Sequence, residues 1–477
     1  MDSGKELLLF SKPTMHSWGL NGTVSRFLSL SFFVVALAGA PTVSAQSAAT
    51  APAVAGSEVS ATSKLVSEFE VNGLKVLFKR RAGSQTVVVG LFLRGGSRNI
   101  TEKNAGVEAL MLDVATEAST NYPRERFRRE LSSTGTLISS GINYDYSALT
   151  LGTTRRFFDR SWNLFVDAAL RPSFTADDFQ RVKARMILAV NDDEDTPDSF
   201  VHVLQSRVIY AGHPYLNDPR GTATSLNNLT IEDVKRFHQE MMQTSRMLLV
   251  AVGDIDPQEF RQKVEAAFGK LPRGNYAATP VPQLSFPQSS LAVTARNIPT
   301  NYVQGVFVAP GMSSPDIYAM RIASSILQTR VFLEVRVRRN LSYAPDAFLS
   351  TQGANTGGIS VTAVDANQAV RAMLDEITRL QRQPVSQDEL KSTVQQFLTR
   401  HYMGQETNAA QAGELAQNEL LGGSWRNAFD FIDRLRSVTS EDVQRVSEKY
   451  MRNIQFIVLG NPNNIDRTIF VSEAGGQ

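Results

Sequence analysis

The chain has 477 residues, enough for more than one domain, and its 42% hydrophobic and 20% charged residues exclude a disordered or fibrous protein. The formal net charge is only +2 and no basic run occurs, so the sequence gives nucleic-acid binding no electrostatic support. The absence of cysteine excludes disulfides, thiolate metal sites and cysteine nucleophiles.

Residues 1–45 are predicted to be a secretory signal peptide. Their apolar run, residues 27–38, follows an arginine and at 12 residues is too short to span a bilayer comfortably. A small-x-small cleavage signature closes the segment at residues 43–45. Retention as an N-terminal anchor is the alternative, and both Met1 and Met15 are candidate starts.

Residues 46–66 are rich in alanine, serine and threonine and are predicted to be a flexible leader. The protein is therefore expected to be exported, to the periplasm, with no stable membrane span after signal cleavage.

The mature chain is predicted to alternate strands with longer helices. A hairpin over residues 69–79 has Asn72-Gly73 at its turn, and a buried strand follows over residues 86–94. Residues 104–119 carry an apolar helical pattern that opens after Gly106. Further strands are predicted over residues 136–151, 247–252, 304–309 and 359–364, and further helices over residues 157–169, 176–190, 319–338, 366–381 and 387–403.

An internal repeat relates the two halves of the mature chain. The capped segment 229–236 returns as 438–445 at an offset of 209 residues. Residues 175–179 return as 386–390 at an offset of 211, again after a proline. Generic capped helices explain each match alone but not their shared spacing. The strand segments 247–253 and 455–460 also match, in the same order.

The repeat predicts two homologous domains of an α+β fold, each an antiparallel-rich sheet packed by helices. The N-terminal domain is predicted over residues 67–270 and the C-terminal domain over residues 289–477. Residues 271–288 contain four prolines and no apolar period, and they are predicted to be the linker.

One long run resembles the pitrilysin-type zinc peptidases, a group that includes the insulinases, the mitochondrial processing peptidase and short bacterial periplasmic members. The residues that carry the resemblance are Gly212-His213-Pro214-Tyr215, Gly221-Thr222, Leu229-Thr230, Asp233-Val234, Phe237, residues 250–257 and Ala267-Phe268-Gly269. His213, at a turn before a helix, is expected to satisfy backbone groups rather than to bind metal. The similarity extends over residues 67–462, and it implies two domains of the pitrilysin type.

The family's zinc motif, H-x-x-E-H on a helix with a distal glutamate, is absent. Alignment on Gly106 places Ala109, Leu112 and Asp113 at the motif positions and Ala189 at the third-ligand position. Only Asp113 is able to coordinate a metal, so no metal or other cofactor is predicted in this chain. The resemblance implies that zinc is held by a partner chain.

The second half keeps a different part of the family's site. Residues 331–343 resemble the substrate-binding segment, in which an arginine and a tyrosine seven residues apart face the active site of another half. Here these are Arg336 and Tyr343, although Arg338 and Arg339 leave the register open. The resemblance implies that the arginine holds a substrate carbonyl or carboxylate and that the tyrosine donates to the oxyanion.

The strand over residues 139–149 lies where the family offers a sheet edge to an extended peptide. The candidate edge residues are Ser139, Ser140, Gly141, Ile142 and Asn143.

Three functions remain open. The first is a non-catalytic, substrate-binding subunit of an exported heterodimeric zinc metallopeptidase, inactive alone and paired with a homologous chain that carries H-x-x-E-H. The second is a scaffold with no part in proteolysis, and an intact Arg336–Tyr343 pair argues against it. The third is an active metallohydrolase with a non-standard site built on carboxylates such as Asp113 and Glu117.

Overall fold

The computed structural model describes residues 65–471. The predicted signal peptide and nearly all of the predicted leader lie outside the described residues. Within residues 65–471, no helix combines the length and the apolar character needed to cross a bilayer.

The first half builds a six-stranded sheet. Its strands are β1 (Val66–Val71), β2 (Leu74–Arg80), β3 (Thr86–Arg94), β4 (Leu137–Ile142), β5 (Tyr146–Thr154) and β6 (Met247–Gly253). The spatial order is β1-β2-β6-β3-β5-β4, and β6 runs parallel to β2 but antiparallel to β3. The predicted hairpin at Asn72-Gly73 and the predicted strand over residues 86–94 are confirmed.

The second half repeats this plan with five strands. They are β7 (Ser290–Ala295), β8 (Asn301–Val308), β9 (Asp346–Leu349), β10 (Thr356–Ala363) and β11 (Gln455–Gly460). Their order is β7-β11-β8-β10-β9, with β11 parallel to β7 and antiparallel to β8. This is the order of the first sheet without β1, so the predicted internal repeat and the α+β class are confirmed.

Helices connect the strands in both halves. In the first half they are α1 (Val107–Ala115), α2 (Arg124–Thr134), α3 (Phe158–Leu170), α4 (Ala176–Asp195), α5 (Pro197–Ile209), α6 (Ala223–Asn228), α7 (Ile231–Met241) and α8 (Pro257–Phe268). In the second half they are α9 (Asp316–Val331), α10 (Ala366–Arg382), α11 (Gln387–Gly404), α12 (Asn408–Leu421), α13 (Asn427–Arg436), α14 (Ser440–Tyr450) and α15 (Arg467–Val471). The repeated helices α7 and α14 each begin with a threonine–aspartate capping box, as the repeat predicts.

Helix α1 is shorter than the helix predicted over residues 104–119, so that prediction is wrong at both ends. Gly106 has a left-handed φ of 89° and precedes the first helical residue. A Cβ on Gly106 would lie 2.9 Å from the Arg220 carbonyl oxygen, so this close approach requires glycine. At the other end, the Thr116 hydroxyl donates 2.8 Å to the Asp113 carbonyl and ends the helix.

The single strand predicted over residues 139–149 is also wrong, because the chain reverses within it. The side-chain oxygen of Asn143 accepts hydrogen bonds from the backbone N–H groups of Asp145 and Tyr146, at 2.8 and 2.9 Å. This Asx turn separates β4 from β5, which pair antiparallel. Asn143 therefore lies in the turn, whereas Ser139 to Ile142 lie in β4.

Each sheet is covered on its second face by a helix from the other half, which the sequence analysis did not anticipate. Helix α12 packs on β3 and β6 of the first sheet, and α5 packs on β8 and β11 of the second. At the first of these interfaces, side chains of the first half pack against side chains of the second half. The first half contributes Val66, Leu77, Phe92, Tyr146, Ala148, Leu248, Val250 and Val252, and the second half contributes Ala412, Leu415, Ala416 and Trp425. The second interface buries Val201, Ile209, Tyr210 and Tyr215 against Val306, Ala354, Ile457 and Leu459. Burying each large aliphatic side chain contributes about 1.5–3 kcal/mol, so this packing strongly couples the two halves.

Buried hydrogen bonds also join the two halves. The Asp145 carboxylate accepts hydrogen bonds from the Tyr215 hydroxyl at 2.5 Å and from the Gly353 backbone N–H at 3.0 Å. The Tyr215 hydroxyl in turn accepts from the Ala354 N–H at 3.3 Å. Since Asp145 is only 3% exposed, burial raises the pKa of its carboxyl, and these donors oppose that rise. Asp145 thereby ties the β4–β5 turn to the loop before β10.

Replacing Asp145 with asparagine is expected to lower the free energy of unfolding by about 1–2 kcal/mol. The amide keeps one acceptor oxygen, so either the tyrosine hydroxyl or the Gly353 N–H loses its partner. Denaturant unfolding of the two proteins measures the difference. The matched control is Asp159→Asn, at an exposed aspartate on α3, which is expected to stay within about 0.5 kcal/mol of wild type. Equal losses in both variants would contradict the assignment.

Candidate functional site

The four residues at the family's zinc positions lie on two antiparallel helices. Arg185 of α4 contacts both Asp113 of α1 and Glu117, just beyond the end of α1, with nitrogen–oxygen distances of 3.6 Å in each case. Arg181, one turn earlier on α4, lies 3.9 Å from Glu117 and forms no ion pair with Asp113. The contacts therefore run in opposite directions along the two helices. One further turn of each helix brings Ala109 level with Ala189.

None of these positions supplies a metal site. Ala109 and Leu112 are 8% and 5% exposed and pack in the core of the first half, and Ala189 lies exposed on α4. Asp113 is the only ligand-type side chain, and its carboxylate already accepts a hydrogen bond from the Ser140 hydroxyl. Burial raises the pKa of Asp113, while Ser140 and Arg185 oppose that rise.

A zinc ion therefore does not fit here, since a catalytic zinc site needs about three protein ligands. The arginine that faces Asp113 carries the positive charge that a metal would bring. Across residues 65–471, no cluster of three or more histidine, aspartate and glutamate side chains has the geometry of a metal site. The absence of a cofactor stays a prediction.

Glu108, a residue that the sequence analysis did not single out, is fully buried in α1 beside these positions. Its carboxylate accepts hydrogen bonds from the Ser147 hydroxyl at 2.5 Å and from the Asn99 amide at 3.2 Å. Arg246 donates to the Asn99 side-chain oxygen at 2.8 Å. Burial raises the pKa of Glu108 to about 7, against these hydrogen bonds and the Arg246 charge. An acidic residue inside an otherwise apolar helical stretch was the available signal.

In the second half, Arg336 and Tyr343 are brought together. The guanidinium carbon of Arg336 lies 3.9 Å from the centroid of the Tyr343 ring, a close cation–π stack. Tyr343 is 75% exposed and Arg336 is half-buried, so the phenol hydroxyl faces solvent and the guanidinium stays partly accessible. Both side chains are therefore available to a bound molecule.

The three arginines of this segment have different partners. Helix α9 widens into a π-helical segment, Phe332–Arg338, which replaces the last part of the α-helix predicted over residues 319–338. Glu334 pairs with Arg338 at 2.9 Å and with Arg339 at 2.8 Å. Arg336 points instead at Tyr343, so the arginine that stacks is the one that the seven-residue spacing selects. π-Helical turns occur frequently at functional sites.

The candidate edge strand is an open edge of the first sheet. Strand β4 stands last in the sheet order, with β5 as its neighbour. Ser140 faces α1 and donates to Asp113, while the Ser139 hydroxyl is hydrogen-bonded to Thr150 of β5 at 2.8 Å. The edge and the former zinc positions thus form one continuous region. No hydrogen bond or ion pair within residues 65–471 joins this region to Arg336 or Tyr343.

His213 satisfies backbone groups, as its sequence context predicts. Its Nδ1 accepts from the Tyr215 N–H at 3.1 Å, and its Nε2 faces the Pro282 carbonyl oxygen at 2.8 Å. Both ring nitrogens are used inside the fold, which leaves none free to bind a metal.

Two family models match the chain in succession. Residues 75–220 match the model described as insulinase (peptidase family M16), and residues 228–397 match the peptidase M16 inactive domain. The chain is 22% identical over 407 residues to the zinc protease PqqE of Helicobacter pylori, covering 80% of this chain and 89% of that protein. It is 21% identical over 259 residues to cytochrome b-c1 complex subunit 1 of Bos taurus, covering 54% of each.

A solved structure shares the fold. The crystal structure of a protease from Helicobacter pylori superposes with a TM-score of 0.77 at 17% identity, covering 83% of this chain and 99% of that one. At this identity the likeness supports the fold alone. The two successive family matches identify the chain as a member of the insulinase family, peptidase family M16.

Proposed function

We propose that this chain is the non-catalytic, substrate-binding subunit of an exported, periplasmic, heterodimeric zinc metallopeptidase that acts on peptides. The observation that carries the proposal is the contrast between the halves. In the first half, Ala109, Leu112 and Ala189 offer no metal ligand, and Asp113 faces Arg185. In the second half, Arg336 and Tyr343 stack at an exposed position.

The zinc and the general base come, in this proposal, from a homologous partner chain that carries H-x-x-E-H. The chemistry that this chain supplies is positioning and electrostatic stabilisation. The Arg336 guanidinium donates to a carbonyl or carboxylate of the bound peptide, and the Tyr343 hydroxyl donates to the oxygen that becomes negative at the scissile bond. Their exposure is what a site completed by a second chain requires.

The peptide is proposed to add to an open sheet edge. Strand β4 leaves one row of backbone N–H and C=O groups without a strand partner, and an extended peptide pairs with such an edge through main-chain hydrogen bonds. Recognition of this kind is tolerant of sequence, because the backbone groups that bond are the same in every peptide.

A scaffold role is the second candidate. The match to a cytochrome b-c1 complex subunit favours it, since that protein is by its name a subunit of a complex. The exposed Arg336–Tyr343 stack argues against it, because a scaffold has no use for an arginine held over a solvent-facing tyrosine.

Reconstitution tests the proposal. The mature chain is mixed with a homologous chain from the same genome that carries H-x-x-E-H, and cleavage of a fluorogenic peptide is followed. We expect each chain alone to be inert and the mixture to cleave at least about 100-fold faster. Size-exclusion chromatography is expected to show a one-to-one complex.

Two outcomes would overturn the proposal. One is stoichiometric zinc and peptidase activity in the isolated chain, which would restore the non-standard metallohydrolase. The other is a one-to-one complex in which the partner cleaves at the same rate with and without this chain. That result would favour the scaffold.

A further inference from the structure

Four arginines lie around the carboxylates at the C-terminal end of α1, and one of them, Arg185, contacts Asp113 at a position of the family's metal motif. They are Arg124, Arg128, Arg181 and Arg185, and the carboxylates among them are Asp113, Glu117 and Asp178. We call these seven residues the arginine cluster. Four guanidinium groups against three carboxylates leave it with a positive charge. A metal-binding relative would place ligand side chains around a metal cation here, whereas this chain places arginine side chains here.

Within the arginine cluster, the pairing is uneven. Arg124 lies 3.1 Å from Glu117 and also pairs closely with Asp178. Arg185 is different, because its two contacts, to Asp113 and Glu117, are both 3.6 Å, longer than ordinary hydrogen bonds. The Arg185 side chain is also 58% exposed. The Arg185 guanidinium is therefore loosely held between the two carboxylates, and its solvent-facing N–H donors are accessible to an incoming anion.

Arg185 stands beside the open sheet edge. Asp113 links the two, since it faces Arg185 on one side and accepts from Ser140 of β4 on the other. Leu188, three residues along the same face of α4, is 64% exposed and offers an apolar contact next to the guanidinium. A planar cation with an adjacent apolar surface, at the edge of a sheet, suits the last residue of a peptide.

We propose that Arg185 binds the C-terminal carboxylate of a peptide that pairs with β4. The inference rests on the proposed function, from which it takes the peptide at this edge. A carboxylate matches the guanidinium fork with two parallel hydrogen bonds, and the surplus charge of the arginine cluster adds long-range attraction. This site therefore favours the C-terminal ends of peptides. As a result, short peptides bind in preference to internal segments of folded proteins.

A competition between two peptide pools tests the assignment. Both are randomised decapeptides, one ending in a free carboxylate and the other in an amide, and the peptides retained by the mature full-length chain are counted by mass spectrometry. Wild type is expected to retain the free-acid pool about tenfold over the amide pool. In Arg185→Gln the preference is expected to fall below about twofold.

Two further variants separate the roles of charge and geometry. Arg185→Lys keeps the charge beside Asp113 and Glu117 but loses the fork, so an intermediate preference of about threefold is expected. The control Arg261→Gln removes an exposed arginine of α8 that pairs with Glu265, and it is expected to keep the full preference.

The outcomes distinguish this inference from the function on which it rests. Equal retention of both pools by wild type would leave peptide binding intact and overturn the carboxylate assignment. A full preference in Arg185→Gln would overturn it as well. So would enrichment of aspartate or glutamate at one fixed position of the retained amide pool, which would assign Arg185 to a side chain. Retention of neither pool would overturn the inference, and the reconstitution would then decide the proposed function separately.

Discussion

Replacing Arg336 with alanine is expected to lower kcat/KM of the reconstituted heterodimer about 100-fold. Its guanidinium lies 3.9 Å from the Tyr343 ring, which fixes the cation without consuming its hydrogen-bond donors. A charge-assisted hydrogen bond to the reacting peptide is worth more in a site that the partner chain shields from water than in solution. Initial rates of fluorogenic peptide cleavage, over a range of substrate concentrations, measure the change.

Tyr343→Phe separates the contribution of the tyrosine hydroxyl to the rate from that of Arg336. It keeps the ring on which Arg336 stacks but removes the hydroxyl, so kcat is expected to fall about tenfold or more with little change in KM. A rise in KM together with the fall in kcat after Arg336→Ala would assign the arginine to ground-state binding as well. A tyrosine whose only role was to support the arginine would leave kcat unchanged when it became phenylalanine.

The control for both variants lies two residues away. Arg338 is exposed and pairs with Glu334, which keeps Arg339 as a second partner. Arg338→Ala is therefore expected to change kcat/KM by less than about twofold. If Arg338→Ala and Arg336→Ala lowered the rate equally, the segment would act through its overall positive charge. The seven-residue pair would then have no special role.

The features that the sequence predicted well are local ones. The hairpin at Asn72-Gly73 follows from a turn dipeptide that tolerates positive φ, and both residues have it here. Strand β3 matches its predicted bounds because a run of β-branched and aromatic residues ends at charged or turn residues. The repeat could be predicted because the capping box of α7 recurs at α14, at nearly the same offset as the other matching segments.

Long-range structure was less accessible. Each half packs a helix, α5 or α12, on the sheet of the other half. The sequence of β6 is consistent with this packing, because all seven of its residues are buried, as expected of a strand covered on both faces. Nothing in that strand shows which helix supplies the second cover. The turn at Asn143 was missed because β4 and β5 read as one alternating run, and a single side-chain acceptor reverses the chain.

In the candidate site, too, the sequence located individual residues but not their long-range contacts. Ala109, Leu112, Asp113 and Ala189 were located by alignment, but the arginine that faces Asp113 comes from a helix 72 residues later in the chain. Only the packing of α4 on α1 brings Arg185 to that place. Likewise, the sequence did not show that Arg336 stacks on Tyr343 while Arg338 and Arg339 pair with Glu334, because these contacts depend on side-chain directions in a π-helical segment. The substrate-binding role of the pair stays a prediction.

Glu108 should make the stability of the protein fall as the pH rises from about 4.5 to 7. Burial raises its pKa in the folded state from an ordinary value of 4.5 to about 7. Below pH 4.5 the carboxyl is protonated in both states, so its burial carries no ionisation penalty. Between these values the unfolded chain ionises first, which favours unfolding. The loss amounts to about 3 kcal/mol and is complete above pH 7.

Glu108→Gln is expected to remove this dependence. Its amide oxygen still accepts from Asn99, and its NH₂ group donates to Ser147, whose hydroxyl is free to turn. The variant is expected to be more stable than wild type by about 1–3 kcal/mol at pH 8 and to approach or fall below it at pH 4.5. Urea unfolding at a series of pH values gives the difference curve. Glu414, whose pKa is also raised to about 7, titrates in both proteins and cancels in that difference.

The exposed residue Glu125 on α2 provides the matched control. Glu125→Gln is expected to follow the wild-type curve within about 0.5 kcal/mol throughout. If Glu108→Gln instead ran parallel to wild type from pH 4.5 to 8, the carboxylate would be ionised in the folded state across that range. Asn99, Ser147 and Arg246 would then offset the full cost of burying the charge. That result would make Glu108 a fixed anion in the first half, with no loss of stability from its ionisation above pH 4.5.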